Sequence, residues 1–238
     1  MKKILVKFKN WWFKNSSREY LYSVNEQFSN FIDNDSYVLD AGAGTAPYKG
    51  LFNHANYETA DFEQVDKNYT SSTYVCDLKS IPVEAERFDF IIFNQVMEHL
   101  PEPLLVLEEL HRVMKPGGRI ICTCPLYYQE HEIPYDFYRY TQFAHRHLFG
   151  RAGFTIESID WLEGYFGTVA YQLECMFKYL PVNPKGFPMG LIGWIAAPII
   201  IGCKVAAFLF AGVFYRLDLR FKVKSGMPKN YVVIAKKV

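Results

Sequence analysis

Acidic residues and glycines that follow short apolar runs are the side chains best placed for ligand chemistry in this sequence. Asp40 ends one apolar run and is followed at once by Gly42 and Gly44. Glycines carry no Cβ, so backbone at these positions can approach a ligand closely. Asp61 ends a second run, 17 residues after Gly44, and Asp77 ends a third. Carboxylates placed in this way could accept hydrogen bonds from two ribose hydroxyls and from an adenine amino group.

The turn after Asp40 favours a nucleoside ligand without phosphates. The third glycine of a dinucleotide-binding turn is missing, because Thr45, Ala46 and Pro47 follow Gly44. Residues 44–50 also lack the Gly-Lys-Ser/Thr ending of a phosphate-binding loop. A tight strand-to-helix turn without any ligand is the alternative explanation of these glycines.

A second group of reactive side chains lies in residues 125–141, which contain one histidine, three carboxylates, one arginine and five tyrosines. We expect His131 to act as a general base toward a hydroxyl acceptor, with Asp136 and Arg139 orienting it or binding the acceptor. The alternative is a salt bridge between Asp136 and Arg139, with the tyrosines packed as a lid.

Metal and nucleic-acid chemistry are not expected. His145 and His147 stand two positions apart in a predicted helix, where such a pair points to different sides, and no partnered carboxylate lies at helical spacing. The chain has 26 basic and 25 acidic residues, so it lacks the basic excess of a non-specific nucleic-acid binder. Five scattered cysteines without a Cys-x-x-Cys pair are typical of a reducing compartment.

Strand-like and helix-like patterns alternate between about residues 19 and 162, which predicts a doubly wound α/β sheet. The predicted strands are Tyr37–Asp40, Asn56–Asp61, Tyr74–Asp77, Phe88–Asn94, Arg119–Cys124 and Phe154–Leu162, and the predicted helices are Pro103–Met114 and Phe143–Ala152. Such sheets bind ligands at the carboxyl ends of their strands, which is where Asp40, Asp61 and Asp77 fall.

Five motifs in this order resemble the class I S-adenosylmethionine-dependent methyltransferases. They are Asp40–Gly44, Asp61, Cys76–Leu78, Phe88–Leu100 and Leu107–Gly118. The resemblance covers about residues 36–162, with Tyr231–Lys236 as the family's last, antiparallel strand. It implies a mostly parallel seven-stranded sheet of the Rossmann-like methyltransferase fold, a hydrophobic helical insertion before the last strand, and S-adenosylmethionine as cofactor.

The resemblance also implies roles for single residues. Asp40, Gly42 and Gly44 would line the methionine portion of the cofactor, Asp61 would bind its ribose, Asp77 and Leu78 its adenine, and Asn94 and Gln95 would border its sulfonium. His99 would shape the wall beside the sulfonium, or would simply pack on the sheet at the start of a helix.

Hydropathy and charge divide the chain into four parts. We predict a basic amphipathic helical region over 1–35, the cofactor-binding α/β domain over 36–162, an aromatic and apolar helical insertion over 163–225, and the last strand over 226–238.

Two of these parts point to a membrane. The segment Gly190–Phe214 is 25 residues long with Lys204 as its one charge, which is enough to span a bilayer. A single crossing would leave the last strand on the wrong side. We therefore expect a bend near Pro198 or Gly202–Lys204 that makes a hairpin in one leaflet or against the domain. A buried insertion in a soluble enzyme is the alternative.

The N-terminal part carries an apolar stripe within a lysine-rich segment, which suits an anionic membrane interface. The stripe consists of Ile4, Leu5, Phe8, Trp11 and Trp12. The same helix could instead cap the sheet. Because lysines interrupt the first apolar residues, we expect no secretory signal and a location at the cytoplasmic face of the membrane.

The expected function is methyl transfer from S-adenosylmethionine to an oxygen of a membrane-associated or lipid-linked, glycan-type acceptor. The His, Pro, Asp-Phe, Arg-Tyr-Thr run of residues 131–141 is similar to one in methyltransferases of bacterial surface-glycan and lipid-carrier gene clusters. A quinone-type small-molecule methyltransferase and a non-catalytic nucleoside-binding scaffold at the membrane are the alternatives. A dehydrogenase is disfavoured by the missing third glycine.

Overall fold

The structure, a computed structural model, describes residues 11–13, 16–65, 68–181 and 191–238. The chain divides into two compact units. Residues 20–162 together with 230–238 make up the sheet unit, and residues 1–19 together with 163–229 make up the helical unit.

The sheet unit is built on seven strands in the spatial order β3-β2-β1-β4-β5-β7-β6. The strands are β1 (Tyr37–Ala41), β2 (Asn56–Asp61), β3 (Tyr74–Val75), β4 (Phe88–Asn94), β5 (Met114–Pro125), β6 (Phe154–Trp161) and β7 (Asn230–Lys237). Strands β1 to β5 pair in parallel, whereas β7 runs antiparallel to both β5 and β6. The predicted fold class is confirmed, and the sheet is mixed because of β7.

Helices cover the sheet because its strands are apolar on both faces, as parallel strands require. The helices of the sheet unit are α1 (Ser16–Ser29, which belongs to this unit from Tyr20 onward), α2 (Pro103–Val113) and α3 (Gln142–Arg151). Ile91 and Phe93 of β4 pack in one core cluster with Leu107 of α2, while Ile92 packs in the other with Phe28 of α1. The helices therefore cover the two faces of the sheet, and the carboxyl ends of its strands are left for a ligand.

Two strand boundaries differ from the prediction by more than one residue. β3 stops at Val75 rather than Asp77, and β5 begins at Met114, five residues before its predicted start. Tyr74 and Val75 pair only with the end of β2, and the main-chain amide of Cys76 still reaches the Asp61 carbonyl at 2.9 Å. Cys76 and Asp77 thus leave the sheet in a loop that keeps them at its carboxyl edge.

The helical unit contains an antiparallel pair, α4 (Tyr165–Tyr179) and α5 (Leu191–Arg220). The Tyr215 hydroxyl donates to Glu174 at 2.7 Å, and the Lys204 ammonium donates to the Leu180 carbonyl at 2.6 Å. The predicted hairpin is wrong, because α5 continues through Pro198 and Gly202–Lys204 as one helix of 30 residues. A proline removes one main-chain hydrogen bond, and here the apolar helix continues through it.

One side of α5 packs within its unit and the other is exposed. Ala207, Ala211 and Tyr215 are buried, and the Trp12 indole donates to the Phe208 carbonyl at 2.7 Å. The exposed apolar side chains of α5 are Trp194, Ile195, Ile199, Ile201, Val205, Leu209, Phe210 and Val213. Among the described residues, the helical stretch Gly193–Arg220 is long enough and apolar enough to cross a membrane.

The N-terminal stripe is only partly described, since Ile4, Leu5 and Phe8 lie outside the described residues. Trp11 is exposed. Phe13, next to Trp12, is buried in a cluster with Ala211 and Tyr215. Trp12 and Phe13 therefore belong to the packing of the helical unit.

Candidate active site

The glycine turn after β1 requires the residues that the sequence places there. Gly42 has a φ of +76°, and a Cβ on it would lie 2.4 Å from Val96, so any side chain would clash. Its amide donates to the Ala60 carbonyl at 2.7 Å, which holds the turn against β2. Gly44, with a φ of +54°, donates its amide to Asp61 Oδ2 at 2.9 Å.

Asp61 is fixed by the main chain on both carboxylate oxygens. Oδ2 accepts from the Gly44 amide, and Oδ1 accepts from the Glu63 amide at 3.1 Å. Each carboxylate oxygen has a second lone pair, so both can still accept a hydrogen bond from a ligand hydroxyl. The two main-chain amides therefore hold the Asp61 carboxylate at the carboxyl end of β2.

A cavity of about 430 Å³ lies at the carboxyl ends of the central strands. Six of the predicted cofactor residues line it, namely Gly42, Asp61, Asp77, Leu78, Gln95 and His99. Aromatic side chains from two loops, Phe62, Tyr135 and Phe137, line it as well. A concave site of this size with a few convergent polar groups is the usual form of a small-molecule pocket.

Gln95 marks the wall of this cavity with a strained backbone. Its φ of +56° is uncommon for a residue with a side chain and is stabilised by its surroundings. The Gln95 amide donates to the Thr123 carbonyl at 2.8 Å, and its side-chain amide donates to the Thr123 hydroxyl at 3.3 Å. Main-chain pairing with β5 therefore sets where this side chain stands.

Three predicted cofactor residues do not line the cavity. Asp40 is buried and accepts a hydrogen bond from the Tyr57 hydroxyl, and burial raises its pKa to about 7. Asn94 donates to Asn25 Oδ1 at 2.7 Å and accepts from the Thr123 hydroxyl at 2.8 Å. Gly44 contributes its amide to Asp61 instead. These residues support the strand ends from behind the residues that face the cavity.

The segment 125–141 is anchored to the short turn Met97–His99, a single 3-10 turn that follows β4. The Phe137 and Tyr138 amides donate to the Glu98 carbonyl at 2.9 and 3.3 Å, and the Tyr140 hydroxyl donates to the Met97 carbonyl at 3.1 Å. These hydrogen bonds bring the segment beside the cavity, where Glu132, Tyr135 and Phe137 form part of its wall.

The three predicted catalytic residues lie together. Arg139 donates from two nitrogens to the two oxygens of Asp136, at 2.7 and 2.9 Å, so the predicted alternative of a salt bridge is present. Asp136 Oδ2 also accepts from the His131 amide at 2.9 Å and lies 3.4 Å from His131 Nδ1. The Arg139 guanidinium holds the pKa of Asp136 down, to about 2.

His131 in turn meets His99, whose ring centroid is 4.6 Å away. Burial lowers the pKa of His99, and its Nδ1 is hydrogen-bonded to the Tyr135 carbonyl. The side chain of Glu98 is completely buried beside them, and burial raises its pKa to about 7. Three titratable side chains therefore converge where residues 125–141 meet the cavity.

Sequence reasoning missed Asn25, Glu98 and the aromatic wall. Glu98 stands within the motif that carries the resemblance, so its position could have indicated a role. Asn25 reaches Asn94 from α1 across 69 residues of chain, and no local pattern announces such a contact.

His145 and His147 point to different sides of α3, as predicted. His145 is buried, whereas His147 is exposed. Burial lowers the pKa of His145 to about 4, and neither ring nitrogen has a hydrogen-bond partner among the described residues.

Comparison with known proteins identifies the family. Residues 13–165 match the model of the Methyltransferase domain family. The ubiquinone/menaquinone biosynthesis C-methyltransferase of Desulfotalea psychrophila is 29% identical over 180 residues, covering 66% of this chain and 70% of its own. The ubiquinone biosynthesis O-methyltransferase of Pseudomonas syringae is 26% identical over 128 residues, which are 46% of this chain and 55% of that enzyme.

Solved structures share the fold. Phosphoethanolamine N-methyltransferase 2 of Haemonchus contortus, in complex with S-adenosyl-L-methionine, aligns with a TM-score of 0.50 at 13% identity, over 87% of this chain and 49% of that one. One family is indicated by the glycine turn, the strand-end carboxylates, the sheet order and the family match. The chain therefore belongs to the methyltransferase-domain family and is a class I S-adenosylmethionine-dependent methyltransferase.

Proposed function

We propose that the protein transfers the methyl group to an oxygen of a membrane-associated acceptor, which enters beside His131. The observation that carries this proposal is the placement of His131. Its ring contacts His99 on the cavity wall and is backed by Asp136. In this arrangement Asp61 binds the ribose, Asp77 and Leu78 the adenine, Gln95 and His99 border the sulfonium, and Asp40, Gly42, Gly44 and Asn94 shape the methionine end.

Methyl transfer from a sulfonium is an in-line displacement by a nucleophile. The cofactor is already activated, so the protein contributes mainly by aligning the acceptor and excluding water, effects worth roughly 7–11 kcal/mol. The aromatic wall of Phe62, Tyr135 and Phe137 is suited to exclude water from the reacting atoms.

An acceptor hydroxyl must also lose its proton. We assign this step to His131, which takes the proton as the oxygen forms its bond to the methyl carbon and the carbon–sulfur bond breaks. Asp136 orients the ring and stabilises the imidazolium that forms, and Arg139 keeps Asp136 ionised. A positioned base of this kind contributes about 10²–10⁴ in rate.

A quinone-type ring is the acceptor class best supported by the relatives, since two of them carry quinone-pathway names. The aromatic wall of the cavity is compatible with a ring. A lipid-linked glycan, the acceptor class expected from residues 131–141, is the second candidate. Its support is the local similarity of that segment alone.

Membrane association follows from the exposed side of α5. Ile195 and Ile199 are 75% and 68% exposed, and Trp194 beside them is 61% exposed. Apolar side chains that recur on one side of a long helix favour contact with lipid. Because β7 pairs with β6, the chain returns to the unit it left, so we propose that α5 lies in one leaflet at the cytoplasmic face.

The acceptor proposal is tested with methyl-labelled S-adenosylmethionine and two lipid fractions, one of demethylated quinone precursors and one of lipid-linked glycans. Labelled product from the quinone fraction, with the methyl group on oxygen by NMR, is expected. Label on ring carbon would contradict the oxygen proposal, and label only in the glycan fraction would replace the quinone acceptor by the second candidate.

The membrane proposal is tested by flotation with vesicles of phosphatidylglycerol and phosphatidylethanolamine. The double variant Ile195→Ser, Ile199→Ser should remain unbound while the unaltered protein floats. Phe143→Ser, at an exposed apolar residue of the sheet unit, is the matched control and should float normally. Equal flotation of the double variant would exclude α5 as the lipid-contacting surface.

A further inference from the structure

We propose that Glu98, His99 and His131 bind a divalent transition-metal cation beside the cofactor cavity. The sequence predicts no metal site, and the histidine pair weighed for one there is His145 and His147. The three residues proposed here lie on two separate segments, and only the docking of residues 125–141 onto the turn Met97–His99 brings them together.

The ligand atoms are close enough for one cation. Each side chain offers one donor atom, and these atoms all lie within 4.8 Å of one another. Glu98 Oε1 and His99 Nε2 are 3.8 Å apart. Metal–ligand bonds of about 2.0–2.2 Å place neighbouring ligand atoms about 3–3.5 Å apart, so coordination requires the widest pair of these atoms to approach by up to about 1.5 Å.

Glu98 points to a missing ligand. Its side chain has no solvent exposure, and Oε1 has no hydrogen-bond partner among the described residues. The other oxygen, Oε2, accepts from the Cys124 thiol at 3.5 Å. A buried carboxylate oxygen without a partner is costly, and a cation is the partner that such an oxygen binds most strongly.

The two imidazoles are held as metal-binding imidazoles usually are. His99 Nδ1 bonds the Tyr135 carbonyl, which can only accept, so the proton is on Nδ1 and the lone pair of Nε2 faces Glu98. His131 Nδ1 lies 3.4 Å from Asp136 Oδ2, which is paired with Arg139, and this nitrogen has no hydrogen-bond partner among the described residues. The carbonyl behind His99 orients that ring and increases its basicity toward a metal.

The donor set selects the class of cation. Two imidazole nitrogens and a carboxylate suit zinc, cobalt, manganese or iron, whereas calcium and magnesium prefer oxygen ligands alone. Glu132 Oε2, 4.0 Å from His99 Nε2, is a further carboxylate at the rim. Glu132 and His99 both line the cavity, so a cation bound beside them would border the space for substrates.

A bound cation would occupy the His131 nitrogen that the proposed function assigns to the base. It would instead supply Lewis-acid activation of the acceptor hydroxyl, whose proton would pass to solvent as the oxygen takes the methyl group. This consequence rests on the proposed function, whereas the cation site itself does not.

The test uses the full chain, stripped with a chelator and titrated with Co²⁺, followed by visible absorption and calorimetry. One Co²⁺ per chain with d–d bands, displaced by Zn²⁺, is expected. Glu98→Gln and His131→Ala should each weaken Co²⁺ binding at least tenfold. His147→Ala, an exposed histidine of α3, is the matched control and should bind as before.

Two readouts separate this proposal from the proposed function. S-adenosylhomocysteine affinity of the stripped protein should be unchanged, which shows a folded cofactor site whatever the metal result. Absence of Co²⁺ binding in that protein, or equal binding by Glu98→Gln, His131→Ala and the unaltered chain, would overturn the cation site. If the unaltered chain binds Co²⁺ as expected but methylates no acceptor oxygen, that result would count against the proposed function alone.

Discussion

The two ends of the site are built in different ways. At the cofactor end, main-chain amides of Gly44 and Glu63 hold Asp61 at the end of a central strand. At the acceptor end, a series of side chains holds the proposed base, from Arg139 to Asp136 to His131. Backbone pairing fixes the first end, whereas each member of the second depends on the next. Substitutions at the acceptor end should therefore change turnover without changing cofactor affinity.

The largest effect is expected at His131. Replacing it by Asn should lower turnover by about 10²–10⁴, because the group that takes the acceptor proton is lost. Affinity for S-adenosylhomocysteine should stay within twofold, since the cofactor-binding groups are untouched. Labelled methyl transfer and calorimetry measure the two quantities, with His147→Asn as control. A large loss of cofactor affinity would mean that the two ends are one.

Asp61 gives the reverse pattern. Asp61→Ala should weaken S-adenosylhomocysteine binding about a hundredfold, because hydrogen bonds to a carboxylate contribute about 1.5–3 kcal/mol each. The exposed residue Asp33, changed to Ala, is a matched control that should bind normally. Unchanged affinity of Asp61→Ala for S-adenosylhomocysteine, measured by calorimetry, would contradict the proposal that Asp61 binds the ribose.

Asp136 should show a smaller effect with a defined pH dependence. Its pKa is about 2 in the folded chain, below the value of about 3.9 expected when unfolded, so its ionised form stabilises the fold by about 2 kcal/mol above pH 4. This contribution disappears as the pH falls through 2. Asp136→Asn should therefore lose about 2 kcal/mol of unfolding free energy at pH 7, measured by urea denaturation.

The pH series of the same variant provides the control. The difference between Asp136→Asn and the unaltered chain should shrink as the pH falls from 4 toward 2. A difference that stays constant across this range would show that the ion pair with Arg139 is not its source.

The smallest effect is expected at His145. Burial lowers its pKa to about 4 from about 6.5, so the unfolded chain binds a proton that the folded chain does not between these values. Stability should fall as the pH drops from 6.5 toward 4. His145→Phe removes this slope and two unpartnered nitrogens, and should gain on the order of 1 kcal/mol at pH 7.

Thermal unfolding between pH 4.5 and 7 measures that difference. Turnover and cofactor affinity of His145→Phe should equal those of the unaltered chain. A loss of either would show that α3 contributes to the site.

The cofactor end could be predicted further than the acceptor end, and the reason is physical. Apolar runs and glycine turns are local, and the ends of parallel strands share one edge, so Asp61, Asp77 and Gln95 could be brought together from sequence. The contact of Glu98 with residues 125–141 depends on how a long loop docks, which no periodicity encodes. The hydrogen bond between Asn94 and Asn25 likewise depends on tertiary packing that no local pattern encodes.

The bend expected in α5 shows the opposite limit. The expectation rests on topology, because a single crossing would leave the last strand on the wrong side, and Pro198 and Gly202, as poor helix residues, give only its place. The helix nevertheless remains continuous from Leu191 to Arg220, with Ala207, Ala211 and Tyr215 buried in the helical unit.

The most direct test of the account is calorimetric titration of the purified protein with S-adenosylhomocysteine, with NAD as the comparison ligand. The strand-end carboxylates and the missing third glycine predict micromolar binding of S-adenosylhomocysteine and none of NAD. Binding of NAD alone, or of neither ligand by protein whose fold is verified by circular dichroism, would contradict the assignment of the cavity to S-adenosylmethionine.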